Sequence, residues 1–277
     1  MPNMIFYFSG TGNTEWVARQ IASAIGEELL FVPDLIRKEM FEYELHVGER
    51  IGFCFPTHGW QPPGIVRTFI RQLRLHRVPK DEDTFCWALT TCGDNMGEAM
   101  AILNKELAKN PQLNTSDGRP LKAETQFAVI MPESYVCLPF MKTDTEEKEA
   151  MKIQMATQQL PHIIQMIEQR RRGIEELEKG ATPRLYSYVI GGYFNKRMIT
   201  DRKFTVDEDV CIQCGKCAKV CPVDNIKGTP PVWIHNGRCT CCLACYHHCP
   251  VHAINYGNIT RRRDQYFFGH KPKKNPQ

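Results

Sequence analysis

The chain has 277 residues, 42% hydrophobic and 24% charged, the make-up of one large or two modest globular domains rather than a fibrous or disordered chain. No apolar run reaches the ~18 residues of a membrane span, and MPNMIFYFSG lacks the basic segment and long apolar core of a signal peptide. The net charge of +4 is uneven: residues 201–277 carry twelve Lys and Arg against six Asp and Glu, and residues 1–200 carry 23 against 25. The basic end holds Arg261, Arg262, Arg263, Lys271, Lys273 and Lys274. It has no aromatic interleaving or helix-turn-helix pattern, so nucleic acid is not expected. Offsetting anionic groups, steering an acidic protein partner and plain solvation are the readings it leaves open.

In chain order, Met4, Ile5, Phe6, Tyr7 and Phe8 read as a buried parallel strand. The strand opens into Ser9-Gly10-Thr11-Gly12-Asn13-Thr14, after which Trp16, Val17, Ile21 and Ile25 repeat at helical spacing. A strand, a small hydroxyl-rich loop and a helix put a phosphate at a helix N-terminus. Neither a Walker loop nor a dinucleotide fingerprint fits the glycine spacing. Ser9, Thr11, Gly12 and Thr14 instead resemble the Thr/Ser-x-Thr-Gly-x-Thr phosphate loop of flavodoxins.

Further strands are expected at 29–32, 51–55, 85–90 and 123–131, with helices after Pro63 (Val66, Phe69, Ile70 and Leu73 on one face) and near 97–109. Five strands alternating with helices imply a doubly wound parallel sheet with a ligand at the C-terminal strand ends. The flavodoxin resemblance implies that FMN lies between two loops. Pro56, Thr57, His58, Gly59 and Trp60 line one side, with Trp60 as the stacking partner, and Thr91, Cys92, Gly93 and Asp94 line the other. Gly59 has the freedom that a peptide turning toward the flavin N5 needs. Cys54, Cys86 and Cys137 read as core thiols. Residues 132–142, with Tyr135, form an insert placed to cap the flavin. Residues 144–179 read as a long helix interrupted at Pro161, and 185–198 as a second helical piece.

From Cys211 the chain reads CIQCGKCAKVCP and, after the seventeen residues that follow Cys221, CTCCLACYHHCP. Thiols spaced by two in a tight loop suit three corners of an iron–sulfur cube, and the fourth points to the twin cluster. The expected partition is crossed: Cys211, Cys214, Cys217 and Cys249 for one [4Fe–4S] cluster, Cys239, Cys242, Cys245 and Cys221 for the other. Zinc and disulfides are the competing readings, but zinc leaves the third and fourth cysteines of each half unexplained, and nothing points to secretion. Cys241 is out of frame and reads as a spectator. Pro222 and Pro250 turn the chain out of each half. The stretch resembles bacterial two-cluster ferredoxins.

Nearly the whole chain is therefore similar to the flavodoxin–ferredoxin fusion proteins of anaerobic bacteria. The expected divisions are a flavodoxin-like FMN domain (1–180), a helical connector (181–203), a small α+β ferredoxin-like domain (204–258) and a basic tail (259–277). The resemblance implies an iron–sulfur flavoprotein of a reducing cytoplasm, relaying single electrons between two [4Fe–4S] clusters and FMN with a redox protein as partner. A flavin reductase of a small organic substrate and a redox sensor are the alternatives. One cluster is expected on the side of Trp60 and Gly93. If that approach failed within one chain, a homodimer would bring one chain's cluster to the other's flavin.

Overall fold

A computed structural model describes residues 3–78, 84–115 and 117–269. Apolar runs with strand propensity supply a parallel sheet. Its strands are β1 (Met4–Tyr7), β2 (Glu28–Phe31), β4 (Arg50–Pro56), β6 (Phe85–Cys92) and β7 (Thr125–Ile130), with a two-residue sixth strand, β8 (Glu175–Glu176). The spatial order β2-β1-β4-β6-β7-β8 is parallel throughout. Its first five members thus follow the 2-1-3-4-5 order of doubly wound flavodoxin-like sheets. The order reverses beside β1, so the crevice for a ligand falls at the C-terminal ends of β1 and β4.

Alternation along β1 explains why both faces are covered. Met4, Phe6 and Phe8 join Phe53, Phe69, Leu103 and Met100 on one face. Ile5 and Tyr7 join Val17, Ile21, Phe127 and Ile163 on the other. The first face is covered by α2 (Val32–Arg37), α3 (Gly64–Gln72) and α4 (Ala99–Ala108), the second by α1 (Asn13–Ile25) and α5 (Glu146–Glu168). Each fully buried Phe or Leu contributes about 1.5–3 kcal/mol. Gly52 is required in β4, since a Cβ there would lie 2.4 Å from the Trp87 ring.

Besides β8, two strands in this half were not expected. Glu42–His46 (β3) and Arg74–Val78 (β5) pair in parallel as a separate ribbon, each alternating exposed and buried residues as a half-buried strand does. The long helix is shorter than 144–179. Thr145 caps α5 by accepting from Lys148 N, Pro161 lies within it, and left-handed turns at Arg170 and Gly173 release the chain. That release lets Ile174 lead into β8, whose Glu175 pairs with Gln126.

The connector is helical as expected, but Leu185–Ile190 and Phe194–Met198 wind as π-helix on either side of α6 (Gly191–Tyr193), a winding often found at functional sites. The C-terminal module is a pair of two-stranded antiparallel ribbons. One pairs β9 (Phe204–Val206) with β12 (Ile254–Tyr256), the other β10 (Ile226–Lys227) with β11 (Val232–Trp233). Two single-turn helices, α7 (Lys216–Lys219) and α8 (Ala244–His247), complete it. Phe204 stacks on Trp233 at 5.5 Å, and both belong to the same apolar cluster as the sheet's first face. The module is docked on the body. Lys271, Lys273 and Lys274 lie outside the described residues. No helix among the described residues is long and apolar enough to cross a membrane.

Candidate functional site

After β1 the chain turns tightly, because Ser9 Oγ accepts a hydrogen bond from Gly12 N at 3.0 Å. Gly12, at φ 91°, caps α1, so the helix N-terminus and its unpaired N–H groups point out of the loop. Hydroxyls tie this loop to its neighbours: Thr14 Oγ1 lies 2.7 Å from Thr91 Oγ1, and Thr57 Oγ1 lies 2.9 Å from Thr90 Oγ1. Thr57 N donates to Thr91 O.

These loops border a cavity of about 1160 Å³, its open mouth included. Ser9, Gly10, Thr11, Asn13, Thr14, Pro56, Thr57, His58, Gly59, Trp60, Thr91, Cys92, Gly93 and Asp94 all line it. Gly12 does not. Its Cα faces outward against Phe268, whose Cβ is 3.0 Å from where a Gly12 Cβ would be. Trp60 lies tilted against Tyr186 of the connector, ring centres 4.8 Å apart, while still lining the cavity. The insert contributes Glu133, Ser134, Tyr135, Leu138 and Met141, and the connector contributes Phe194, which meets Tyr135 edge-on at 5.5 Å. The remaining wall was not foreseen: Thr240, Cys241, Cys242 and Leu243 of the second cysteine loop.

Gly59 is less free than its residue type implies. A Cβ on Gly191 would lie 2.3 Å from the Gly59 carbonyl oxygen. Asn195 Nδ2 donates to the carbonyls of Gly191 (2.8 Å), His58 (3.2 Å) and Gly59 (3.4 Å). On the opposite loop, Gly93 packs on the Glu133 carboxyl, where any Cβ would collide with Oε2. Burial raises the Glu133 pKa, opposed by the N–H groups of Tyr135 and Ser134. The buried Lys152 ammonium reaches Gly93 O at 2.8 Å and Asp144 Oδ2 at 2.6 Å. Burial lowers His58 to about 4, against an opposing hydrogen bond with the Thr240 backbone, so the ring is neutral. Around this cavity, His58 Nδ1, Asn95 Oδ1 and Thr240 Oγ1 are buried without partners. Orphaned polar atoms of this kind call for a ligand that hydrogen-bonds.

The two cysteine loops repeat one backbone. Gln213 and Cys241 are both left-handed, as are Gly215 and Leu243, and Asp224 and His252. In each half a backbone N–H four residues on donates to the last cysteine at 3.3 Å: Asn225 N to Cys221 Sγ, Ala253 N to Cys249 Sγ. The thiols group across the halves. Cys217 lies in the field of Cys249 and Cys211, whereas Cys245 lies in that of Cys242, Cys239 and Cys221. Cys221 in turn senses Cys239. Cys211, Cys217 and Cys249 thus neighbour one another, as do Cys221, Cys239, Cys242 and Cys245, and thiols that accept from backbone N–H groups suit iron–sulfur chemistry. Among the described residues no three Cys, His, Asp or Glu side chains are arranged to hold a single metal ion. Cys241 is buried, its thiol 3.5 Å from Thr200 O.

The second cysteine loop shares the cavity with Trp60 and Gly93 and also meets the phosphate loop. Cys242 packs on the phosphate loop, where a Cβ on Gly10 would lie 2.8 Å from Cys242 O and 2.9 Å from its Cβ. Small residues in that loop are what allow the approach.

Segment 264–268 then straps the module to the loop. Gln265 donates to Tyr246 O and Cys249 O, and Tyr266 N donates to His247 Nδ1. Tyr266 Oη donates to Asn13 Oδ1 at 2.6 Å, and Phe268 N donates to Thr11 O at 2.8 Å. Phe268 also stacks on Trp16 at 4.9 Å. Tyr266, Phe267 and Phe268 make this basic tail aromatic as well, a composition that suits packing on the body.

Residues 204–227 match the family model of the 4Fe-4S binding domain, which assigns cluster binding and iron–sulfur electron transfer to that stretch. The match contains Cys211, Cys214, Cys217 and Cys221 and stops before the second cysteine loop. No protein of curated function matches the sequence. Among solved structures, one titled "The Structure of Trp Repressor Binding Protein from Bacillus subtilis" aligns over 57% of this chain and 96% of its own at 10% identity. Its TM-score is 0.30, too low to carry an argument about this chain.

Proposed function

We propose that the protein is an iron–sulfur flavoprotein that relays single electrons between two [4Fe–4S] clusters and an FMN, with a redox protein as donor. Cys211, Cys214, Cys217 and Cys249 hold one cluster, and Cys239, Cys242, Cys245 and Cys221 hold the other. Clusters pass electrons singly and a flavin holds one or two, so together they supply conversion between the two kinds of transfer. The protein's own groups do the rest. The α1 N-terminus with Ser9, Thr11 and Thr14 takes a terminal phosphate. His58 Nδ1, Asn95 and Thr240 offer hydrogen bonds to a polar ring edge. Tyr135 and Phe194 exclude water.

The observation that carries this reading is the shared wall: Thr240–Leu243, from the loop of the second cluster, closes the cavity formed by the phosphate loop and the loops after β4 and β6. Anaerobic reconstitution followed by iron, sulfide and flavin analysis tests it. The expected result is two clusters and one FMN per chain, with no FAD, and flavin reduction that follows cluster reduction in stopped flow. Release of FAD, or clusters that reduce while bound flavin stays oxidised, would refute it.

A further inference from the structure

Two cysteine loops with one backbone meet different surroundings. Among the eight motif thiols Cys214 alone is classed as exposed, and Ile212 beside it keeps 60% of its surface in water. Their repeat mates, Cys242 and Thr240, line the internal cavity. Electrons that enter from another protein therefore meet the chain first at the outer loop.

We propose that the face running from Ile212 to Lys219 is the docking surface for an acidic one-electron carrier protein. This rests on the relay reading above. Lys216 and Lys219 are exposed on the single turn behind Cys214. The Lys216 ammonium sits 5.8 Å over the Phe267 ring, and Phe267 stacks on His248 at 4.4 Å, so a cationic rim with an aromatic floor extends from the loop. Glu208 and Asp209 are the exposed acids that precede Cys211 in the chain. The C-terminal stretch as a whole carries twelve cations against six carboxylates. A carrier with a carboxylate face is steered to such a surface, and Ile212 gives it an apolar centre to cover. In the transfer the carrier's reduced centre loses one electron and the cluster of Cys211, Cys214, Cys217 and Cys249 gains it. No bond forms or breaks.

The test uses the full chain, reconstituted anaerobically, and a reduced acidic [2Fe–2S] ferredoxin as probe. Iron, sulfide and flavin are quantified in every variant first. K216E/K219E should slow cluster reduction by the ferredoxin by at least about tenfold at low salt. It should also weaken ferredoxin binding and abolish the decline of the wild-type rate with ionic strength. I212E should slow it less. Reduction by titanium(III) citrate, which needs no docking, should stay at the wild-type rate. V189E/Y193E, on the exposed apolar face of the connector (62% and 63% exposed), should leave ferredoxin reduction unchanged. Unchanged rates in K216E/K219E, or slowing confined to V189E/Y193E, would overturn the proposal while leaving the relay standing. Wild-type protein that takes up no iron would overturn both.

Discussion

The loop of Cys211–Cys221 and the loop of Cys239–Cys249 differ in surroundings, not in local design. Both alternate left-handed residues at matching positions, both end in a single helical turn, and both aim an N–H at the last thiol. The first loop exposes Ile212, Gln213 and Cys214. The second meets Gly10, borders the cavity and carries His247, whose Nε2 lies 2.6 Å from Ser134 O. Identical coordination chemistry can therefore serve two tasks, because spacing sets what a loop binds and tertiary packing sets what it faces. On this account the outer loop receives electrons and the inner loop delivers them to the flavin.

Exchanging the last cysteines breaks the comparison most severely. Cys221→Ala and Cys249→Ala should each lower iron from about eight to about four per chain. Cys221→Ala, although it sits in the outer half, should remove the inner cluster and so stop electron delivery to the flavin. Cys249→Ala should remove the outer cluster and leave the flavin reducible by small reductants. Iron analysis with stopped-flow spectra decides, and a loss of the cluster in the same half as the mutation would contradict the crossed arrangement.

Next in size is Gly10→Ala. The new Cβ would lie 2.8 Å from Cys242 O, a backbone atom that cannot swing aside. FMN affinity should fall at least about tenfold, a change of about 1.4 kcal/mol, while Gly215→Ala, which strains a left-handed residue but meets nothing within 4 Å of its added Cβ, should cost stability and leave FMN affinity unchanged. Equilibrium flavin titration measures both, and equal losses would erase the distinction between the loops.

Tyr266→Phe deletes the O–H that reaches buried Asn13 Oδ1. It should cost about 1–3 kcal/mol of stability, because Asn13 loses a partner in a dry setting. Denaturant unfolding of the full chain checks this, and an unchanged midpoint would mean that the strap is ornamental to folding.

The most gradual effect, spread over several pH units, is a pH dependence at His58, whose ring meets the inner loop through the Thr240 backbone. Its folded pKa of about 4 lies below the unfolded value of about 6.5. As pH falls below 6.5 the unfolded chain takes the proton first, so stability declines until about pH 4, and above 6.5 the group contributes nothing. His58→Asn should flatten that segment of the stability profile. A slope that persists would assign it to other groups.

Much of this was legible from residues alone, for reasons that differ by region. Cysteine spacing is a short-range pattern, so the 4Fe-4S binding stretch with Cys211, Cys214, Cys217 and Cys221 could be read directly. Ser9–Thr14 and the loops around Thr57 and Thr91 could be placed because strand periodicity and the doubly wound order dictate which loops converge. What escaped was contact between distant segments of weak pattern. Nothing local marks Asn195 as the residue that holds the Gly59 carbonyl, or Cys242 as the neighbour of Gly10. The β3 and β5 strands were readable in principle, since Tyr43 and Leu45, like Leu75 and Arg77, alternate with exposed residues. Charged side chains at their other positions hid the apolar rhythm. The end of α5 was missed because Ile174 and Leu177 happen to continue its spacing.

The central claim is that the cluster of Cys221, Cys239, Cys242 and Cys245 is the flavin's neighbour. Pulsed EPR on the reconstituted chain, poised so that both the flavin and a cluster carry an unpaired electron, measures their magnetic coupling directly. The account predicts strong flavin–cluster coupling that survives in Cys249→Ala and vanishes in Cys221→Ala. Coupling that vanishes in Cys249→Ala and survives in Cys221→Ala would contradict it.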